Sequence, residues 1–190
     1  MDYCTVQNVK DYLTVTGSGS DALIASIITR ISSFIDEYCN CPLGFGQAAV
    51  TERVTGLVDA AGNLKCWPSK PKVNSVSAMT VEYSVYDSPM AVTLAYIRIS
   101  GYEVRVMDGT WKNLRGTDLL VNITYDGGFT TLPDKLVHAA TVISARAFKA
   151  KDSGQSDVVG SDTTGTLIYA KMMPREVKRI LDGMSRVVVT

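Results

Sequence analysis

Residues 119–136 read Leu119-Leu120-Val121-Asn122-Ile123-Thr124-Tyr125-Asp126-Gly127-Gly128-Phe129-Thr130-Thr131-Leu132-Pro133-Asp134-Lys135-Leu136. Two periodicities meet in this stretch. Leu119, Val121, Ile123 and Tyr125 alternate with other residues, the period of a strand with one buried face. Asp126-Gly127-Gly128 breaks it. Pro133 then suits the first turn of a helix, Asp134 complements the helix dipole, and Leu136, Val137, Ala140, Ile143, Ala147 and Phe148 recur at helical spacing. A strand therefore hands over to a helix at about residue 130, and the fold class depends on what lies on either side.

Upstream the alternation persists. Val50, Val54 and Val58 share a face with Glu52, and a turn at Asp59–Asn63 leads into Leu64–Trp67 as a hairpin. Met79, Val81, Tyr83 and Val85 alternate with polar residues. Thr93–Ile99 and Tyr102–Met107 form a second hairpin through Ser100-Gly101. The β-region thus spans about 48–126.

Helical patterns flank it. Thr5 is a cap for Val6, Val9, Tyr12 and Leu13. After Gly17-Ser18-Gly19, Ser20 is expected to cap a longer helix carrying Leu23, Ile24, Ile27, Ile28, Ile31, Phe34, Ile35 and Tyr38, which Cys39–Pro42 stops. Pro174 opens a last short helix with Val177, Ile180, Leu181 and Met184 apolar. The expected architecture is α+β: a small helical bundle with helices near 5–13, 20–39, 133–151 and 174–185, and an inserted antiparallel β-region. The whole chain reads as one domain, with the insert as a subdomain. Residues 152–166 are rich in Gly, Ser, Thr and Asp and read as a mobile loop. Residues 185–190 form a C-terminal tail.

Bulk properties narrow the function. The 190 residues hold 19 Lys and Arg against 19 Asp and Glu, so no basic excess calls for a nucleic acid. The first residues lack the pattern of a signal peptide, no apolar run is long enough for a membrane span, and four cysteines in a chain of this size suit a reducing compartment. Cys39 and Cys41 form C-x-C, and His138 is the single histidine, a poor set for zinc. There is no phosphate loop and no nucleophile elbow, and His138 sits on a helix beside its apolar stripe. The reading is a chain without catalytic, cofactor or metal residues, structural rather than enzymatic.

Two features suit a partner interface. Arg175, Lys178, Arg179 and Arg186 form a basic cluster with Lys171, opposed locally by Glu176 and Asp182. It is either a solvated helix face or a contact for an acidic partner or passing DNA. Val187, Val188 and Val189 are β-branched and lie just beyond a helix. They either pack back on their own domain or add a strand to a neighbouring subunit.

The order of landmarks resembles the head-tail connector (adaptor) family of tailed phages. Thr5-x3-Val9-Lys10-x-Tyr12-Leu13 is followed by Asp21 leading a helix that ends in Ile35-x2-Tyr38. Pro71-x-Val73-x-Ser75-Val76 follows at a strand entry, then Val121-x-Ile123-x-Tyr125-Asp126-Gly127-Gly128-Phe129-x3-Pro133. The resemblance implies a homo-oligomeric ring beneath the portal protein, commonly of twelve subunits. Such a ring extends a channel through which double-stranded DNA passes without sequence-specific binding, and docks the next neck or tail protein. It implies a place in the virion, with the host cytoplasm as the site of assembly, and a C-terminal segment that engages the portal. The β-region, especially 82–107, is longer than in many short members. A different neck or tail-completion protein is the alternative, and a nucleic-acid-binding module a further one.

Overall fold

In a computed structural model, residues 1–83, 88–152, 158–161, 167–169 and 173–185 are described. The fold is mixed α+β, with four helices, a seven-stranded sheet and a two-stranded hairpin among these residues. The chain divides into two compact units. Met1–Asn40 and Leu132–Thr190 make one, and Cys41–Thr131 the other.

The first unit is built from helices. Helix α1, Val6–Leu13, begins at Thr5, whose hydroxyl accepts the Asn8 N–H at 3.1 Å while the Asn8 side chain accepts the Thr5 N–H at 2.8 Å. This reciprocal box satisfies two donors that a helix start leaves unpaired. Helix α2, Asp21–Tyr38, starts differently from expectation. The Ser20 side chain makes no capping bond, and Asp21 instead pairs with Lys10 of α1 at 2.9 Å. Ile24, Ile27, Ile28, Ile31 and Ile35 of α2 are buried, as their spacing requires, but Phe34 lies off that stripe and stays exposed. Helix α3, Asp134–Asp152, buries Leu136, Ala139, Ala140, Ile143 and Phe148. Helix α4, Arg175–Asp182, completes the set.

The second unit is a single antiparallel sheet around its own core. Its strands are β1 (Ala48–Val58), β2 (Leu64–Cys66), β3 (Val73–Glu82), β4 (Met90–Ala91), β5 (Ile97–Ser100), β6 (Glu103–Val106) and β7 (Asp118–Gly127). Their order is β4-β3-β7-β1-β2-β6-β5. The last strand in sequence lies between β1 and β3. Register places Val54 beside Val121 and Val121 beside Val81, so alternate residues fill one face. The sheet curls: the Val73 N–H at the start of β3 donates at 2.9 Å to Gly101 O, in the turn joining β5 to β6 at the opposite edge. Val81, Val104, Val106, Leu119, Val121, Ile123 and Trp111 are enclosed.

Three expectations are corrected. The strand expected around Met79–Val85 begins at Val73, carries two bulges and ends at Glu82, leaving Tyr83 outside it and exposed. Thr93–Ile99 is not one strand, because Leu94–Tyr96 forms a 3-10 turn and only Ile97–Ser100 pairs. The segment read as a loop over 152–166 contains strand β8 (Val158–Ser161), which pairs with β9 (Leu167–Tyr169). Its average composition concealed a local pair of β-branched residues, Val158 and Val159. The rest of that segment lies outside the described residues. No helix among them is long and apolar enough to cross a membrane.

Candidate functional site

Helix α4 carries the described part of the basic cluster. Pro174 caps it in extended conformation, Glu176 lies in the first turn and Arg179 in the last, matching the helix dipole. Val177 and Leu181, four residues apart, are buried. Arg175, Glu176, Lys178, Arg179 and Asp182 are exposed. The docked face is latched as well as packed. The Cys39 thiol donates to Leu181 O at 3.7 Å, the Tyr38 hydroxyl donates to Asp182 Oδ1 at 2.5 Å, and Lys178 Nζ lies 2.9 Å from Asp182 Oδ2.

The latch divides the cations. Its hydrogen bond to Asp182 pushes the Tyr38 hydroxyl upward in pKa. The Tyr38 hydroxyl and then Lys178 pull the Asp182 carboxyl down, and Asp182 first, then Tyr38, push Lys178 up. Lys178 is thus engaged inside the unit. Arg175 and Arg179 have no ion-pair partner among the described residues. Arg186, Val187, Val188 and Val189 lie outside the described residues.

Beside Arg179 runs a groove of about 500 Å³, lined by Asp134, Lys135, His138, Glu176, Ile180 and Met184. A second groove, of about 350 Å³, lies between α1 and α3 and is lined by Asn8, Asp11, Tyr12, Asp134, Val137 and His138. His138 is exposed at the rim of both. Among the described residues no three His, Cys, Asp or Glu side chains come together as a metal site would require. Cys4, Cys39, Cys41 and Cys66 are buried. Burial with the nearby Glu52 and Glu103 charges pushes the Cys66 thiol up to about 12, and burial outweighs the Thr141 and Ser144 hydrogen bonds in raising Cys4. Neither is activated as a nucleophile.

The β-unit presents a different surface, which the alternation did not reveal. Met90, Leu94, Tyr96, Ile99, Tyr102 and Met107 are all exposed. They come from β4, the 3-10 turn, β5 and the ends of β6. The missed signal is the 3-10 turn, which rotates Leu94 and Tyr96 out of strand periodicity. The Met107 N–H donates to Tyr96 O at 3.0 Å, so these two residues are held side by side.

A sequence model of the family described as head completion protein matches residues 2–187. The chain belongs to the head completion protein family. The match spans both units, so the β-unit is part of the family pattern and not an appended domain. No curated protein matches the chain. Among solved structures, the fold is similar to a chain in the neck of an empty GTA particle computed with C6 symmetry. Identity is 16% over 97% of this chain and 90% of that one, with a TM-score of 0.59. The fold is therefore shared nearly end to end with that chain at low identity.

Proposed function

We propose that this head completion protein is a structural, non-catalytic subunit of a phage or phage-like neck. It forms a ring, of twelve copies as the adaptor resemblance implies, between the portal protein and the next neck or tail protein. The ring extends the channel through which double-stranded DNA passes. The supporting observation is the family match over nearly the whole chain, residues 2–187. The similarity to a chain from a particle neck agrees with it. Both surfaces described above suit assembly. α4 displays two arginines with no ion-pair partner among the described residues, and the β-unit displays exposed apolar side chains, of which Met90, Tyr96 and Met107 line one groove.

In this reading Arg175, Arg179 and the tail Arg186–Val189 face the portal, while the Tyr38–Asp182 hydrogen bond and the buried Val177 and Leu181 hold α4 on its own unit. The test is binding of the purified chain to isolated portal assemblies. Deleting residues 186–190 is expected to weaken binding at least tenfold, and Arg175→Ala with Arg179→Ala to weaken it further and reduce its salt dependence. Full binding by both variants would place the portal contact elsewhere. A particle lacking this chain between portal and tail would reject the adaptor role.

A further inference from the structure

The wall of the β-unit is open at one place. The ladder between β5 and β6 ends at the pair Ile97 and Val106, and the Met107 N–H extends it to Tyr96 O at 3.0 Å. There the 3-10 turn Leu94–Tyr96 breaks the pairing. Among the described residues no backbone hydrogen bond crosses from residues 90–95 to residues 108–111. A groove of about 370 Å³ takes its place, lined by Met90, Ala91 and Thr93 together with Met107, Asp108 and Trp111.

Hydrogen-bonding capacity is left unused along this groove. β4 has β3 as its one neighbour among the described residues. The Val92 N–H donates to Met79 O, so by the antiparallel alternation Met90 and Val92 bond to β3 and the Ala91 N–H and C=O point away from it. Trp111 is 1% exposed, and its indole N–H has no acceptor among the described residues. A buried indole normally has one. A free strand edge beside a donor that lacks a carbonyl suits an added strand. Met90, Tyr96 and Met107, all exposed, offer apolar contact to its side chains, and Asp108 is the one charged group among the described lining residues. The chain itself holds a segment of matching chemistry. Residues 186–190, Arg186-Val187-Val188-Val189-Thr190, join a cation to three β-branched apolar residues, and Val187–Thr190 equals the edge Met90–Thr93 in length.

We propose that the tail 186–190 of one copy enters this groove in the next copy as an added strand on β4, and that this exchange joins subunits in the neck. The inference rests on the ring reading above. Identical subunits in a closed ring use two different surfaces each, here a tail and a groove. The portal reading gives the tail a direction. The groove gives its valines a seat on the neighbouring subunit, with Arg175 and Arg179 left for the portal. Deleting residues 186–190 then weakens portal binding because the ring's multivalent grip is lost.

The test uses full-length chains in assembled necks. One population carries Ala91→Cys and another Val188→Cys, and necks assembled from their mixture are treated with a short thiol-reactive cross-linker. The four native cysteines are buried and stay out of the reaction. A covalent dimer of the two chains is the expected product. Ala91→Pro supplies a second arm. Proline there removes the outward N–H and leaves the bonds to β3 in place. Thermal unfolding of this variant is expected to be unchanged, and its incorporation into necks to fall roughly tenfold or more. Normal incorporation of the folded variant overturns the proposal. A link that forms within a chain carrying both cysteine substitutions, but not in the mixture, assigns the groove to the chain's own tail and also overturns it. A link from position 188 to the portal or to another neck protein does the same by assigning the tail to that partner. Imaging of unvaried necks separates this inference from the ring reading. A multi-copy ring that yields no linked dimer leaves the ring standing and moves its interface elsewhere, whereas necks without such a ring remove the ring reading itself.

Discussion

Lys70 is 3% exposed, and its ammonium donates to the carbonyls of Leu43, Gly44 and Gly46 at 2.6, 3.2 and 2.6 Å. A buried charge is tolerated only when its donors are used. The Lys70 N–H meanwhile donates to the Tyr125 hydroxyl at 3.1 Å, which donates to Glu52 at 2.6 Å. Lys70→Met keeps the stem but removes the donors, and is expected to cost more than about 2 kcal/mol in chemical denaturation. The sequence showed Glu52 on the inward valine face of β1 and left it unexplained; its partners come from distant residues, Ser69 and Tyr125, which no local pattern reveals. Asp59 is simpler. The Asn63 backbone N–H, with further bonds from the Asn63 side chain, Lys65 and Ala61, holds its carboxyl down at about 2. A depressed acid stabilises the fold above its unfolded value, and that contribution disappears as pH falls through the folded value. The stability difference between the natural chain and Asp59→Asn should therefore be full above about pH 4 and shrink towards pH 2. A difference unchanged across that window in thermal melts would remove Asp59 as the source.

Elements depend on a few such positions. Gly128 ends β7 with φ of 99°, and a Cβ there would lie 2.3 Å from Gly46 O. The Asp-Gly-Gly stretch was legible as a strand stop, but the close approach of the Phe45–Gly46 backbone was not, because it joins segments far apart in sequence. Gly128→Ala should cost at least the 1–3 kcal/mol typical of a strained backbone, with more from the clash, seen as a lower denaturation midpoint. Helix periodicity identified Val177 and Leu181 correctly as the buried face of α4. The same reasoning placed Phe34 with the core of α2, where it is exposed; a wide apolar stripe does not say where burial stops. Leu181→Ala should cost about 2–5 kcal/mol and loosen α4, weakening portal binding without touching an exposed charge. Retained binding with that loss of stability would separate helix docking from recognition.

At the scale of the molecule, the division into helical ends and a β middle followed from two periodicities, 3.6 and 2. The order of landmarks suggested the family that the match over residues 2–187 then showed. The candidate surfaces were half legible. Cations on α4 are visible as a cluster, but which are spent on internal pairs depends on Tyr38 and Asp182, 144 positions apart. The exposure of Leu94 and Tyr96 was hidden by a 3-10 turn that reads as a strand. The β-unit itself leads to a final expectation. Its chain enters and leaves at one place: the Gln47 N–H donates to Phe129 O at 3.1 Å, the Phe129 N–H donates to Phe45 O at 2.8 Å, and Thr130 Oγ1 lies 2.5 Å from Gln47 Oε1. Its core, from Val58 to Tyr125, is filled by its own residues, Trp111 among them. A unit with joined ends and a private core needs no outside chain to close it. The fragment 41–131 should fold alone, giving a strand-type circular dichroism spectrum and one cooperative unfolding transition. Lys70→Met in that fragment should lower its midpoint as it does in the full chain, because every partner of the Lys70 ammonium named above lies within it. A fragment that stays unfolded would show that the β-unit takes its stability from the helical one.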